Sequence, residues 1–479
     1  MASLHLTIVI IIVLFAILGY IRPVWAVYVS VFFVPWQELM VDLGLRITMF
    51  TLSLVGLISA IATQTKKIIP VILNDHPLKP LFVLLAWALI VTLSQLNLTA
   101  EIQVSGGPMR SPLVRPIVQI FSFAMMFIPL LTVPHILSRR EHLIGLAKSF
   151  FISISILLLI GWWQLIIAAY TGSNPLPMGI INSWLGGLGH GVRDAIDLGY
   201  DRKYMFRMSS FGGEPRWLGQ SIATALLLMQ IFTAKRLISF NWSTTGLYIF
   251  FIISLIATQS LSGFYLWFLG STVLIIYYFW QNLYKSRNYF FSQQSQLLSV
   301  LLLIIFLGGI ILFNSKAPPA LIGSDYLWYF LQRVSRRGLI DDFDVPVLEF
   351  LRNEPWHAVT GVGMGNIHLF ADTYLLDYFR SFAGGTSFAA ESGWLRLLSE
   401  LGLVGLCLFL WWGWRCFFAA LSFKNRSQQS VNSSIWAPIC LIAFVGYLAR
   451  GISYSPIAFF LLASFFVAIQ VEKNQKLPS

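Results

Sequence analysis

The sequence predicts an all-α polytopic membrane protein with about 12–13 transmembrane helices and a large extracytoplasmic loop. Hydrophobic residues make up 57% of the 479 residues and charged residues only 11%, whereas about a quarter of the residues are charged in ordinary soluble domains. The apolar residues also form runs close to the length of a membrane span, such as Leu6–Ile21 and Leu297–Phe313. This composition excludes a disordered chain, a fibrous repeat, a secreted disulfide scaffold and a typical cytosolic enzyme.

Apolar stretches predict the spans one by one along the chain. The second stretch is the weakest, because Pro35, Glu38 and Asp42 interrupt it, so about 12 spans are as well supported as about 13. The predicted spans cover residues 6–21, 24–40, 46–64, 79–97, 115–137, 144–170, 214–234, 244–259, 262–283, 297–314, 394–421, 435–450 and 455–471.

Basic residues predict which loops face the cytoplasm. The net charge is +12, but the cations are spread over short loops, which favours membrane topology over a nucleic-acid partner. Basic pairs mark alternate loops, and an even number of predicted spans separates each marked loop from the next. The marked positions are Lys66 and Lys67, Arg139 and Arg140, Lys235 and Arg236, Lys285 and Arg287, Lys424 and Arg426, and Lys473 and Lys476 in the tail.

This topology places two long segments, 171–213 and 315–393, on the extracytoplasmic side. Together they hold 12 of the 20 acidic residues. Membrane enzymes often carry their catalytic residues in long polar loops on one face. A solvated ectodomain without a catalytic role has the same composition. The second segment also predicts two short amphipathic helices on the membrane surface, one through Tyr326–Arg336 and one capped by Asp344.

Four arginines are candidates for binding a phosphate group. Arg207 adjoins an apolar span, where charge is costly, and Arg333, Arg336 and Arg337 cluster in the long loop. Arginine suits phosphate because its guanidinium presents several donors and keeps its charge. A solvated basic face or a contact with lipid headgroups is the alternative for the loop arginines.

Three glutamates are candidates for other roles. Glu391 lies at the mouth of the span that begins near Trp394 and can serve as a general base for a sugar hydroxyl. Glu214 precedes Pro215 and is a possible supporting residue, or simply a favourable charge at a helix N-terminus. Glu400 is expected to pair or pack within its span.

No metal or cofactor site is predicted. Asp342-Phe343-Asp344 has the spacing of a diphosphate-metal motif, but helix capping is the simpler expectation for it. The glycine-rich stretch from Gly361 to Asn366 lacks the GxGxxG spacing and the βαβ context of a dinucleotide site, so we expect a tight turn there. The histidines and the three cysteines show no zinc-binding spacing.

These motifs, taken in order, resemble the O-antigen ligase and polymerase superfamily. Arg207 is followed by Phe211-Gly-Gly-Glu214-Pro215, and Thr258-Gln-Ser-Leu-Ser262-Gly263 opens another span. Farther on come Glu354-Pro355, then Gly361-Val-Gly363-Met-Gly365-Asn366, and finally Glu391-Ser392-Gly393 leading into Glu400-Leu401-Gly402. The resemblance covers about 207–405; before that, only the layout of the spans agrees.

The resemblance implies a fold of the GT-C type and an inverting, metal-independent glycosyltransferase in the bacterial inner membrane, with its large loop in the periplasm. The implied substrate is an oligosaccharide on undecaprenyl diphosphate, in contact with the lipid bilayer. Arg207 and one of Arg333, Arg336 or Arg337 are implied to hold the diphosphate. A chain-length regulator and a flippase of the same pathway are the implied protein partners, and no nucleic acid is expected.

The chain departs from the family pattern at two places, and the first of them favours a polysaccharide polymerase. Ligases usually carry His-Asn where this chain has Glu391-Ser392, and Gly263 stands where many members carry Ser-Arg, so one expected cation is absent. We therefore expect a polymerase that joins lipid-linked repeat units, with Glu391 as the base. A ligase that moves the glycan to a lipid or protein acceptor is the alternative, and a secondary transporter is a third.

The sequence divides into three regions on this interpretation. Residues 1–206 form N-terminal helices with the first extracytoplasmic loop. Residues 207–405 carry the motifs and include the large loop 315–393. Residues 406–479 form C-terminal helices and a cytoplasmic tail.

Overall fold

In the computed structural model, the described part of the chain is almost entirely helical. Helices are expected because an apolar chain without access to water must satisfy its backbone polar groups internally. The structure describes residues 2–37, 40–42, 46–62, 78–96, 111–137, 139–171, 208, 210–212, 215–234, 242–284, 343–375, 388–425, 443–444, 457–458, 460–464 and 466–467.

The first half of the described chain contains seven helices, of 10–32 residues each. They are α1 (Ala2–Ile21), α2 (Pro23–Phe33), α3 (Met49–Ala62), α4 (Lys79–Ser94), α5 (Val114–Met125), α6 (Phe127–Ile136) and α7 (Arg140–Thr171). A short antiparallel hairpin, β1 (Met40–Asp42) and β2 (Arg46–Thr48), precedes α3 and pairs Val41 with Ile47.

The second half continues with helices of very different lengths. They are a 3₁₀ turn (Ser210–Gly212), α8 (Pro215–Ala234), α9 (Trp242–Thr258), α10 (Leu261–Tyr284), α11 (Asp344–Asn353), α12 (Trp356–Thr360), α13 (Ile367–Ala371), a second 3₁₀ turn (Asp372–Tyr374) and α14 (Gly393–Asn425).

Most predicted spans coincide with these helices, and the second shows the largest difference. The prediction extends it to residue 40, whereas α2 ends at Phe33 and a hairpin follows. Pro23 opens α2 in the first turn, where its missing N–H is not needed. Pro35 lacks the N–H that a further turn would use. The predicted span 297–314 and the predicted helix 326–336 lie outside the described residues.

Three helical segments of the described chain are long and apolar enough to cross a membrane. They are Val114–Ile136, Glu141–Ile167 and Gly393–Phe418. Shorter apolar helices of 10–17 residues accompany them. The described chain is thus that of a helical membrane protein.

Helix α7 carries an apolar face that no described element covers. Its exposed side chains recur at intervals of three and four residues, so they share one face of the helix. They are Ile152, Ile156, Leu159, Trp163, Ile166 and Tyr170. The opposite face is buried and includes Ser153 and Leu157. A long exposed apolar stripe of this kind fits a lipid environment rather than water.

The chain divides into two compact units. Unit 1 comprises Met1–Thr65, Pro129–Arg336 and Phe460–Ser479, and unit 2 comprises Lys66–Ile128 and Arg337–Phe459.

In unit 1, α1 packs against α3, and α2 packs against both α3 and α7. The Trp36 indole donates a hydrogen bond to the Ser153 hydroxyl at 2.8 Å. Farther along the chain, α8 packs against α9 and α10. A Cβ added at Gly263 would come within 2.6 Å of the Gly219 backbone. This contact explains why a residue larger than glycine does not fit at Gly263.

In unit 2, α14 packs against α4, α11 and α12. An apolar cluster lies between α11 and the start of α14, and it buries Val347, Phe350, Val362, Ile367 and Leu395. The predicted helix at Asp344 is confirmed as α11, but its apolar side packs on protein. Val347 and Phe350 on this side are completely buried in the cluster, and the position of the helix at the membrane surface stays a prediction.

Candidate active site

Glu391 lies in unit 2, on a short non-helical segment, 388–392, that leads directly into α14. Its side chain is partly exposed. The carbonyl of Ser392 accepts the first helical hydrogen bond from the Arg396 N–H at 3.0 Å, so Ser392 occupies the N-cap position of α14. Glu391 is therefore the last residue before the cap, and the helix start fixes where its side chain emerges.

The carboxylate of Asp344 holds this segment from a distant part of the sequence. Its Oδ1 accepts hydrogen bonds from the N–H of Glu391 at 2.7 Å and of Ser392 at 3.0 Å. Its Oδ2 accepts a short hydrogen bond from the Ser392 hydroxyl. Asp344 is only 2% exposed, so these contacts are shielded from water.

The expected capping role of Asp344 is therefore wrong in its detail. Asp344 is the first residue of α11, and no side-chain hydrogen bond caps that helix. The carboxylate is turned instead toward the residues that precede α14. Both of its oxygens are engaged there, and within the described residues no group of three or more His, Cys, Asp or Glu side chains could hold a metal ion. Asp342 lies outside the described residues.

A second long-range contact holds the other end of the segment. The guanidinium of Arg115, on α5, donates a hydrogen bond to the carbonyl of Phe388 at 3.1 Å. Arg115 is 5% exposed. The ring of Phe388 stacks on Phe343 with 5.9 Å between the ring centroids. Contacts to α5 and to the start of α11 thus fix residues 388–392 at both ends.

A second arginine lies one turn into α14. The guanidinium of Arg396 donates to the Gln119 amide oxygen at 3.3 Å, and its Nε lies 3.2 Å from Oε1 of Glu400. The side chains of Arg396 and Glu400 are only 12% and 2% exposed. The expectation that Glu400 pairs within its span is confirmed.

Arg115 and Arg396 are the cations that the sequence prediction missed near Glu391. The available signal was their position at the ends of apolar spans, where a charged residue is costly and usually has a specific partner. Phe388 and Gln119, the partners of these arginines, are remote from them in the sequence. The sequence therefore did not show that Arg115 contacts the segment of Glu391 or that Arg396 contacts α5.

The glycine-rich stretch forms a turn that packs against a break in α14. Gly402 has φ +72 and ψ −177, which interrupts the helix. The break leaves three carbonyls without helical partners, and other groups replace those partners. The N–H of Val362 donates to the Ser399 carbonyl at 3.0 Å, and the N–H of Gly363 donates to the Glu400 carbonyl at 2.9 Å. The Trp87 indole donates to the Leu401 carbonyl at 2.8 Å. The expected tight turn is confirmed, since Gly361, Gly363 and Gly365 all have positive φ.

Two histidines of the long loop have structural contacts. His357 lies 3.3 Å from the Glu354 carboxylate and stacks on Phe350. His368 is buried, and its Nδ1 lies 3.0 Å from the Gly365 carbonyl. Both histidines therefore support the turn and the cluster around it.

The Phe211-Gly212 part of the motif around Arg207 lies in unit 1. Phe211 stacks on Trp36 with 5.8 Å between the ring centroids, and the Ser210 N–H donates to Gln164 at 2.9 Å. Four of the predicted site residues, Arg207, Arg333, Arg336 and Arg337, lie outside the described residues, and so does Glu214. Among the site residues predicted from the sequence, Glu391 therefore lies within the described part of the chain.

No family model matches the chain, and no curated protein matches it either.

Proposed function

We propose that the protein is a polysaccharide polymerase, a membrane glycosyltransferase that joins lipid-linked repeat units. One observation carries the proposal: Glu391 stands on a segment that a buried carboxylate and a buried arginine hold at the mouth of a long apolar helix. A fixed carboxylate at the edge of an apolar helix suits a reaction between a sugar hydroxyl and a lipid-anchored donor. The order of motifs from Arg207 to Gly405 supports the same assignment.

In the proposed reaction, the acceptor hydroxyl oxygen attacks the anomeric carbon of the donor glycan. The bond between that carbon and the diphosphate oxygen breaks, and its electron pair leaves with the diphosphate. Glu391 takes the hydroxyl proton as the new bond forms, which is general base catalysis. The configuration at the anomeric carbon is inverted, because attack comes from the side opposite the leaving group.

The departing diphosphate needs positive charge. Arg207 and one of Arg333, Arg336 or Arg337 are the residues proposed for this role, and arginine stabilises such developing charge well. In the same proposal the donor and acceptor are carried on undecaprenyl diphosphate. The proposal also includes a fold of the GT-C type with about 12–13 spans. The protein would lie in a bacterial inner membrane, with the loop 315–393 in the periplasm. A flippase and a chain-length regulator would be the pathway partners.

The test is the product made by wild-type and variant protein with lipid-linked repeat units in lipid nanodiscs. We expect Glu391→Ala and Glu391→Gln to reduce the rate by about 100-fold or more, the effect typical of a lost general base. The matched control is Glu349→Gln, since Glu349 is an exposed carboxylate on α11. No polymer from the wild-type protein would overturn the polymerase proposal, and full-length polymer ladders from both Glu391 variants would overturn the role of Glu391 as the base. In cells that carry a Glu391 variant, accumulation of single-repeat glycans would indicate a lost polymerase. Lipid-linked polymer that is not attached to its acceptor would indicate a lost ligase.

A transporter is the third candidate after polymerase and ligase, and the break at Gly402 is the observation that favours it. Transporter sites often use interrupted helices whose free carbonyls contact the substrate. Here, however, Val362, Gly363 and Trp87 already occupy the carbonyls that the break releases. Uptake of a labelled lipid-linked glycan into vesicles, with no polymer formed, would support transport over the enzyme.

A further inference from the structure

The contacts of Asp344 are unusual for a helix start. An N-cap serine normally accepts a hydrogen bond from the first turn of its own helix. The Ser392 hydroxyl instead donates to Asp344, 48 residues away in the sequence. A local cap has been replaced by a link to another helix, so the start of α14 is tied to the start of α11.

The link acts on the backbone that carries Glu391. The N–H of Glu391 itself donates to Asp344 at 2.7 Å, which fixes the peptide plane from which the glutamate side chain projects. Burying a carboxylate is costly unless hydrogen bonds compensate it, and here three donors do so. Arg115 holds Phe388, three residues earlier.

We propose that Asp344 is a positioning residue for the reaction: it orients Glu391 toward the acceptor hydroxyl by fixing residues 391–392. This inference rests on the proposed function, in which Glu391 is the base. The physical reason is that a base must lie within hydrogen-bond reach of the proton that it removes, and a misplacement of about 1 Å can cost about 100-fold in rate. Groups that hold a catalytic residue in place therefore affect the rate without touching the substrate.

The test uses the full chain in nanodiscs with lipid-linked repeat units. Asp344→Asn keeps the side-chain shape but removes the charge, and Ser392→Ala removes one hydrogen bond while both N–H contacts remain. We expect Asp344→Asn to lower kcat by about 10- to 100-fold with the KM for the acceptor changed by less than about threefold. Ser392→Ala should lower kcat by about 3- to 10-fold.

The control on the same helix is Glu349→Gln, which removes an exposed carboxylate and should leave both constants unchanged. A second control repeats Asp344→Asn in a Glu391→Ala background. If Asp344 acts through Glu391, it lowers the residual rate no further there, because residues that act as a unit are not additive. A loss that multiplies in that background would overturn the inference.

The outcomes separate this inference from the function on which it rests. No polymer from the wild-type protein would overturn the polymerase proposal, whereas normal polymer synthesis by Glu391→Ala would overturn the role of Glu391 as the base and with it the positioning role of Asp344. Loss of synthesis in Glu391→Ala with full kcat in Asp344→Asn would overturn the positioning role alone. If Asp344→Asn gives no folded protein, Ser392→Ala decides, and an unchanged kcat there overturns the positioning role.

Discussion

Single carboxylates in unit 2 differ sharply in their surroundings. Glu400 is 2% exposed beside Arg396, whereas Glu354 is 50% exposed beside His357. A buried ion pair gains little over an apolar pair, but removing one partner leaves the other charge buried and uncompensated. Exposed pairs contribute much less, because water screens them. We therefore expect that replacing the glutamate by glutamine lowers the stability strongly in the buried pair and only slightly in the exposed pair.

Glu400→Gln is predicted to destabilise the protein by about 3–5 kcal/mol, because the guanidinium of Arg396 would stay buried without this carboxylate. Glu354→Gln, the matched control, should cost about 0–1 kcal/mol. The measurement is denaturant unfolding of each purified variant in the same detergent. Equal losses in the two variants would contradict the importance of burial at Glu400.

At the scale of elements, the central feature is the interruption of α14. A helix break in an apolar span is tolerated only where other groups satisfy the released carbonyls. Residues 362–363 and Trp87 supply those groups here. The turn at residues 361–363 and the break at Gly402 thus depend on each other.

Gly402→Ala is predicted to lower the stability strongly. A Cβ there would overlap the Val359 carbonyl oxygen and lie 2.8 Å from the Thr360 carbonyl carbon. The backbone conformation with φ +72 and ψ −177 is one that essentially only glycine adopts, and it costs another residue about 1–3 kcal/mol. The overlap adds to this cost. The measurement is the melting temperature in detergent, which should fall by several degrees.

Gly246→Ala is the matched control for that change. Gly246 lies within α9, and nothing lies within 4 Å of a Cβ added there. Alanine in a helix interior is favoured over glycine by about 0.5–1 kcal/mol, so this variant should melt at or above the wild-type temperature. A Gly402→Ala variant that melts like Gly246→Ala would show that the break is not required.

At the scale of the whole molecule, the main prediction concerns orientation in the membrane. The basic pairs predict that Arg139 lies in the cytoplasm and that the loop that contains Glu354 lies on the other side of the membrane. Both residues are exposed, so a cysteine at either position can react. The three native cysteines, Cys407, Cys416 and Cys440, are first replaced by serine.

A membrane-impermeant maleimide applied to intact spheroplasts should label Glu354→Cys and leave Arg139→Cys unlabelled. After the membrane is permeabilised, both variants should be labelled, which controls for reactivity. Labelling of Arg139→Cys in intact spheroplasts would reverse the predicted orientation, and the proposed extracytoplasmic chemistry would then be wrong.

The sequence predicted the helices well where a run of apolar residues was uninterrupted. The span predicted at 214–234 corresponds to α8, and the one at 262–283 to α10. It did not predict the hairpin after α2, because short strands carry little periodic signal. It also did not predict the break in α14, since Gly402 alone does not show whether a helix continues through it. The positive φ follows from packing against residues 359–363.

Of the candidate site, the sequence identified Glu391 but not what holds it in place. The sequence by itself determined the membrane class, because hydrophobicity and charge are properties of each residue that add along the chain. Only the tertiary structure decided which residues meet: Asp344 and Ser392 are 48 positions apart, Arg115 and Phe388 273, and Trp87 and Leu401 314. Such contacts depend on how the helices pack, and no local pattern of residues encodes that packing.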